Sequence, residues 1–147
     1  MTIFARHEEK YRRQLAAGES QEKVARVMVA DERAAVVAAE MAIDPWDRTR
    51  IERAVEYGAS QLGIRTPRVR FFNGKSFDFG GIFYRDYGLD VWVDGTRPLH
   101  EMKRLALHET AHVEHFSDGL GADVPAERRH ELRERDADRF ARRGTHW

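Results

Sequence analysis

The chain has 147 residues, carries 25 Lys+Arg against 25 Asp+Glu, and contains seven His and no Cys. That length suits one domain, and the balanced charge argues against a dedicated nucleic-acid binder, which shows a basic excess. Without Cys there are no disulfides, thiolate metal sites or cysteine nucleophiles, which fits a reducing, cytoplasmic setting.

The N-terminus lacks the apolar core of a signal peptide. No apolar run approaches the roughly 20 residues of a membrane helix. Residues 5–17 read as a charged helix that Gly18 ends. Ser20 is a fitting N-cap for a second helix carrying Val24, Val27, Met28, Ala35 and Val36 and reaching Met41. Asp44-Pro45 starts a third, because Pro in a first helical turn costs no hydrogen bond; Trp46, Ile51, Val55 and Leu62 recur at helical spacing up to Gly63. Residues 20–40 can also be laid over a helix-turn-helix. The turn position would then fall on Val29, ill-suited to positive φ, and residues 34–39 are Ala and Val alone, with nothing to read base edges. One continuous amphipathic helix is the reading adopted.

After Thr66-Pro67 the pattern becomes β-prone. Val69, Phe71 and Phe72, then Ile82, Phe83 and Tyr84, then Val91, Trp92 and Val93 form three short runs separated by Gly-containing turns. They predict a small antiparallel or mixed sheet, with residues 90–93 as a candidate edge strand for pairing an extended substrate. Residues 98–116 are apolar on most sides, as a buried helix is, and a Gly-rich loop over 117–124 leads to a last helix over 125–143. The predicted organisation is one α+β domain over 1–147: an N-terminal helical layer (1–63) and a core (64–147) made of a three-stranded sheet and two helices.

Five of the seven His fall between positions 100 and 130, and two of them belong to His108-Glu109-Thr110-Ala111-His112, an HExxH motif. The i, i+4 spacing puts both imidazoles on one helical face, where their nitrogens can converge on one ion. Glu109, about 100° round the helix, suits a general base acting on water that the ion polarises. Three ionisable groups in an apolar helix need a compensating partner, which a divalent cation supplies.

Two residues compete as third ligand. Residues 108–118 read HExxHxxHxxD, which nominates Asp118 by its closeness to the metzincin spacing HExxHxxGxxH. There, however, His115 replaces the Gly that lets the chain turn toward the metal, and no Met-turn follows. The other is Glu134, which shares a helical face with Ala137, Asp138 and Ala141. Small residues beside it would let two helices approach, and Asp138 could accept a hydrogen bond from a ligand imidazole. Asp136 is expected on the solvated face with Arg135 and Arg139. His115, His130 and Tyr84, with His100 and Tyr87 behind them, are candidates for oxyanion or substrate contact.

The HExxH motif followed by Glu134-x-x-Ala137-Asp138-x-Phe140-Ala141 resembles the ImmA/IrrE-type zinc metallopeptidases, which pair HExxH with a downstream ExxAxxFA helix. The likeness covers roughly residues 60–143 and includes the strand and Leu105-Ala106-Leu107 that lead into the motif. It implies a minimal zincin-like fold, Zn2+ held by His108, His112 and Glu134, and Glu109 as catalytic base of a metalloendopeptidase. It also implies a protein substrate, such as the helix-turn-helix repressors that similar phage and mobile-element proteins cleave. The alternative, suggested by the small size, is a non-catalytic zinc-binding regulatory or accessory module that holds a protein partner.

Overall fold

A computed structural model describes the path of residues 3–118 and 126–147, with side chains for 7–116 and 128–147. The chain begins as a helical hairpin. In α1 (Ile3–Ala16), Arg12 and Arg13 each reach back one turn to Glu8 and Glu9 at 2.6 Å, exposed pairs worth only about 0.3–0.5 kcal/mol each. The firmer tie is Tyr11, 2% exposed, whose hydroxyl donates to Asp31 of α2 at 3.0 Å. Gly18, at φ 88°, turns the chain, and the Ser20 hydroxyl caps α2 (Gln21–Ala38) by accepting from the Lys23 N–H. The helix runs unbroken through Val29.

It stops three residues short of the predicted Met41, and the cause is tertiary. Asn73 N–H donates to Ala39 C=O and Met41 N–H to Phe71 C=O, both at 2.9 Å, so this segment joins the outer edge of the first strand. Arg70 secures the junction by pairing with Glu40 at 2.6 Å and Asp90 at 3.1 Å while its guanidinium lies 4.3 Å from the Trp92 ring. α3 (Pro45–Leu62) opens on Asp44, which accepts from the Trp46 and Asp47 N–H groups, and closes on Gly63 at φ 69°.

The sheet is mixed, in the order β1-β3-β2. β1 (Arg68–Phe72) pairs in parallel with β3 (Asp90–Asp94), and β2 (Gly81–Phe83) pairs antiparallel with β3 on its other side. The expectation that residues 90–93 form an edge is therefore wrong: β3 is central, which is why Val91, Trp92, Val93 and Asp94 are all buried. The edges are β2 and β1, the latter with residues 39–41 against its outer side.

Alternation along the strands divides the core. Val69, Phe71, Val91 and Val93 join Ile51, Val55, Met102, Leu107 and Phe140 beneath α3, α4 (Leu99–Asp118) and α5 (Ala126–Arg143). Phe72 and Trp92 face the other way and meet Val36 of α2 and Tyr84. The result is an α+β fold in three layers: the α1–α2 hairpin, the sheet, and α3, α4 and α5 on the other face. Among the described residues no helix is long and apolar enough to cross a membrane.

Between β3 and α4 the chain is pinned by Asp94, 2% exposed. Its carboxylate accepts from the Gly74 N–H (3.0 Å), the Thr96 N–H (3.0 Å), the Thr96 hydroxyl (2.7 Å) and Arg97 Nε (2.9 Å). Burial would raise its pKa, but these donors outweigh it and hold the group below the ordinary aspartate range. Gly74 is required here, since a Cβ would fall 2.3 Å from the carboxylate. The clamp sets where α4 begins, and α4 carries the site.

Candidate metal centre

The inner stripe of α4, with Met102, Ala106, Leu107, Ala111 and Val113, is buried in the core. Its neighbouring stripe presents His108, Glu109 and His112 toward α5. There Ala137 and Ala141 are fully packed, and their small side chains let the two helices close until the Glu134 carboxylate bridges both imidazoles. His108 Nε2 lies 3.0 Å from one carboxylate oxygen and His112 Nε2 lies 2.8 Å from the other, while the two Nε2 atoms are 3.1 Å apart. His108 Nδ1 faces Asp138 at 2.9 Å, the contact that fixes a ligand imidazole with its proton on Nδ1.

These three donors could hold a metal ion. Atoms sharing a tetrahedral ion with bonds of 2.0–2.1 Å stand about 3.3 Å apart, so the triangle need open by only a few tenths of an ångström. Protonation favours it too. Burial first, then the neighbouring His108 and His115, press the His112 pKa down to about 4 against the pull of Glu134, so the imidazole is neutral and able to ligate at pH 7. Glu109, 8% exposed, is pushed up to about 8 by burial first and by the charge of Glu134 second. Two carboxylates this close, one of them buried, are what a divalent cation would compensate.

Glu109 and Glu134 open onto a cleft of about 370 Å³. One wall is the edge strand, Gly81, Ile82 and Phe83; the opposite wall is α5, with Arg129, His130 and Arg133; Phe116 of α4 closes one end. Gly81 matters to this shape, since a Cβ there would come 3.2 Å from Glu109 Cγ.

Of the expected site residues, the fold brings together His108, Glu109, His112, Glu134 and Asp138, and puts His130 on the cleft wall. It does not bring Tyr84 there. Tyr84 is buried on the α2 side, donating to Glu32 at 2.8 Å, and Tyr87 lies beside it under Arg33. His100 is exposed in the first turn of α4. His115 is not a cleft residue either: at 0% exposure it lies between His112 and Asp136. Asp136, expected among the solvated arginines, turns its carboxylate to His115 Nε2 at 2.6 Å. The Asp118 side chain and the loop over 119–125 lie outside the described residues. Sequence reasoning missed the β2 wall and the His115–Asp136 contact; the i, i+3 spacing of His112 and His115 was the available signal. No protein-family model, no curated protein and no solved structure matches this chain, so the chemistry of the site rests on its own geometry.

Proposed function

We propose that this chain is a zinc-dependent metallopeptidase with a minimal zincin-like core, as its resemblance to the ImmA/IrrE type implies. The observation that carries the reading is the convergence of two imidazoles and one carboxylate within 2.8–3.1 Å, beside a buried glutamate on a cleft. Bound there, zinc supplies Lewis acidity toward a carbonyl oxygen and toward water.

The chain's own residues do the rest. Glu109 takes a proton from water and returns it to the leaving amine; an ion beside Glu134 would draw Glu109 from the raised pKa of the metal-free site toward the charged form that the first transfer needs. His108, His112 and Glu134 bind the ion, and Asp138 orients His108. β2, at the edge of the sheet among the described residues, offers its outer backbone groups to an extended peptide, which would lie along the cleft. By the resemblance, the substrate is a cytoplasmic helix-turn-helix repressor.

The test is metal analysis together with incubation against candidate repressors. One zinc per chain is expected. Glu109→Gln should keep the zinc and lose cleavage by about 10²–10⁴-fold, whereas His112→Ala should lose both. Zinc-replete Glu109→Gln with full hydrolysis would refute the mechanism, and partner binding without cleavage in either form would support the non-catalytic module instead.

A further inference from the structure

His115 is fully buried, yet it is as polar as the two ligand candidates and has a partner at each nitrogen. Its Nδ1 lies 3.3 Å from His112 Nδ1, and its Nε2 lies 2.6 Å from an Asp136 oxygen. The proton positions along this chain follow from one another. If His112 ligates through Nε2, its neutral ring carries its proton on Nδ1. That N–H can donate only to an unprotonated His115 Nδ1, which places the His115 proton on Nε2, where the Asp136 carboxylate accepts it. Every donor then meets an acceptor, and no other arrangement of two neutral rings does this while leaving His112 Nε2 bare.

We propose that His115 and Asp136 form a positioning relay that holds the His112 imidazole in the tautomer able to ligate metal; the inference rests on the metal-centre reading above. The two ligand rings are thus held by different devices. His108 donates directly to Asp138, and His112 donates through an intervening imidazole to Asp136. Both acids flank the buried Ala137 on α5, so one helix supplies the third ligand and both anchors.

Glu114, His115 and Asp136 form a second group close enough to consider for an ion. The spacing speaks for a hydrogen bond. His115 Nε2 and Asp136 stand 2.6 Å apart, within direct hydrogen-bond reach, while the nearest Glu114 oxygen lies 3.9 Å from that nitrogen, so the three do not close evenly around one point.

Asp136→Asn tests the relay while keeping the shape. An amide can turn its NH2 toward His115 Nε2, which favours the other His115 tautomer and sets two N–H groups against each other at His112. The expected result is a zinc Kd raised about 10- to 100-fold, measured by competition with a chromogenic chelator, with the thermal transition kept as a check on folding. In the metal-free protein, where Glu134 also draws the His112 proton toward Nε2, 15N-edited NMR is read at His115, which should be protonated on Nε2 in the wild type and shift toward Nδ1 in Asp136→Asn. Asp136→Glu, which keeps the carboxylate, should recover part of both. An unchanged zinc Kd with an unchanged His115 tautomer in Asp136→Asn would overturn the relay, as would a second bound zinc that this substitution removes. A wild type that binds no zinc would refute the metal centre instead, and the tautomer measurement would then decide the relay alone.

Discussion

Replacing Glu109 by Gln should stabilise the metal-free protein, and by an amount that grows with pH. The side chain is 8% exposed, and its pKa rises from an ordinary 4.5 to about 8. A group whose pKa is raised on folding contributes stability that is present below its unfolded pKa and lost as pH climbs to the folded one. The loss therefore runs from about pH 4.5 to about pH 8. Each pH unit in that window is worth about 1.4 kcal/mol, so the charge that folding must suppress costs about 1 kcal/mol at pH 5 and about 3 kcal/mol at pH 7. Glutamine has the shape of the protonated acid and carries no such cost. At roughly 2–4 °C per kcal/mol for a chain of this size, the melting temperature should rise about 2–4 °C at pH 5 and about 6–12 °C at pH 7. His112, with its pKa lowered to about 4, has the opposite dependence, losing stability as pH falls from 6.5 toward 4. The difference between wild type and Glu109→Gln cancels that contribution. The assay is thermal denaturation of both proteins in chelator across pH 5–8.5. Saturating zinc should shrink the difference, because a dication beside Glu134 favours a charged neighbour. Equal melting-temperature differences at both ends of the pH range, or a destabilised variant, would refute the claim that the buried carboxylate is held against its solvation.

Glu134→Ala should weaken zinc binding by more than the 10- to 100-fold that loss of an outer hydrogen-bond partner costs, read by the same chelator competition, with the fold intact. If the proposed peptidase reading holds, Gly81→Ala should leave the zinc Kd unchanged and lower kcat, because its Cβ, 3.2 Å from Glu109 Cγ, must push Glu109 aside by a few tenths of an ångström; steady-state kinetics on a peptide substrate would separate the two. Asp94→Ala leaves the Gly74 and Thr96 N–H groups and Arg97 Nε without their acceptor and should cost about 2–4 kcal/mol by urea denaturation. Because the Asp94 pKa is lowered, the stability it confers is present above the ordinary aspartate pKa and is lost as pH falls toward the folded value.

What could be read from the sequence was what helical period encodes. HExxH fixes two imidazoles on one face whatever surrounds them, and the small residues at 137 and 141 marked the stripe of α5 that presses against α4. Strand order carries no such local mark. Residues 91–93 are apolar without a break, which fits a strand covered on both sides, but nothing nearby records that β1 reaches across to pair with β3 in parallel. The end of α2 was hidden for a related reason: residues 39–41 contain no helix breaker, and only pairing with β1 stops the helix. Tyr84 was misplaced because its partner Glu32 lies on α2, 52 residues earlier. Asp136 lies about 200° round the helix from Glu134, and periodicity alone sends it to solvent; it turns inward only because His115 waits one helix away.

The arrangement of costs and supports explains why the site sits on these two helices. Glu109 and His112 are both held in the protonation state that folding imposes, and each withdraws stability in its own pH range. Those losses are borne by elements with little freedom to yield. Asp94 pins the start of α4 through four hydrogen bonds, Ala137 and Ala141 lock α5 against its body, and Gly58 lets Phe140 and Leu107 close over α3. A loop would relax around a buried carboxylate and let water in, which would restore ordinary pKa values and scatter the donors. Rigid helices cannot, so the strain stays where the three donors converge. The same rigidity means that the few tenths of an ångström needed to admit an ion must come from rotation of the Glu134 side chain, the most exposed of the three, with the imidazoles held at their far nitrogens by Asp138 and by His115.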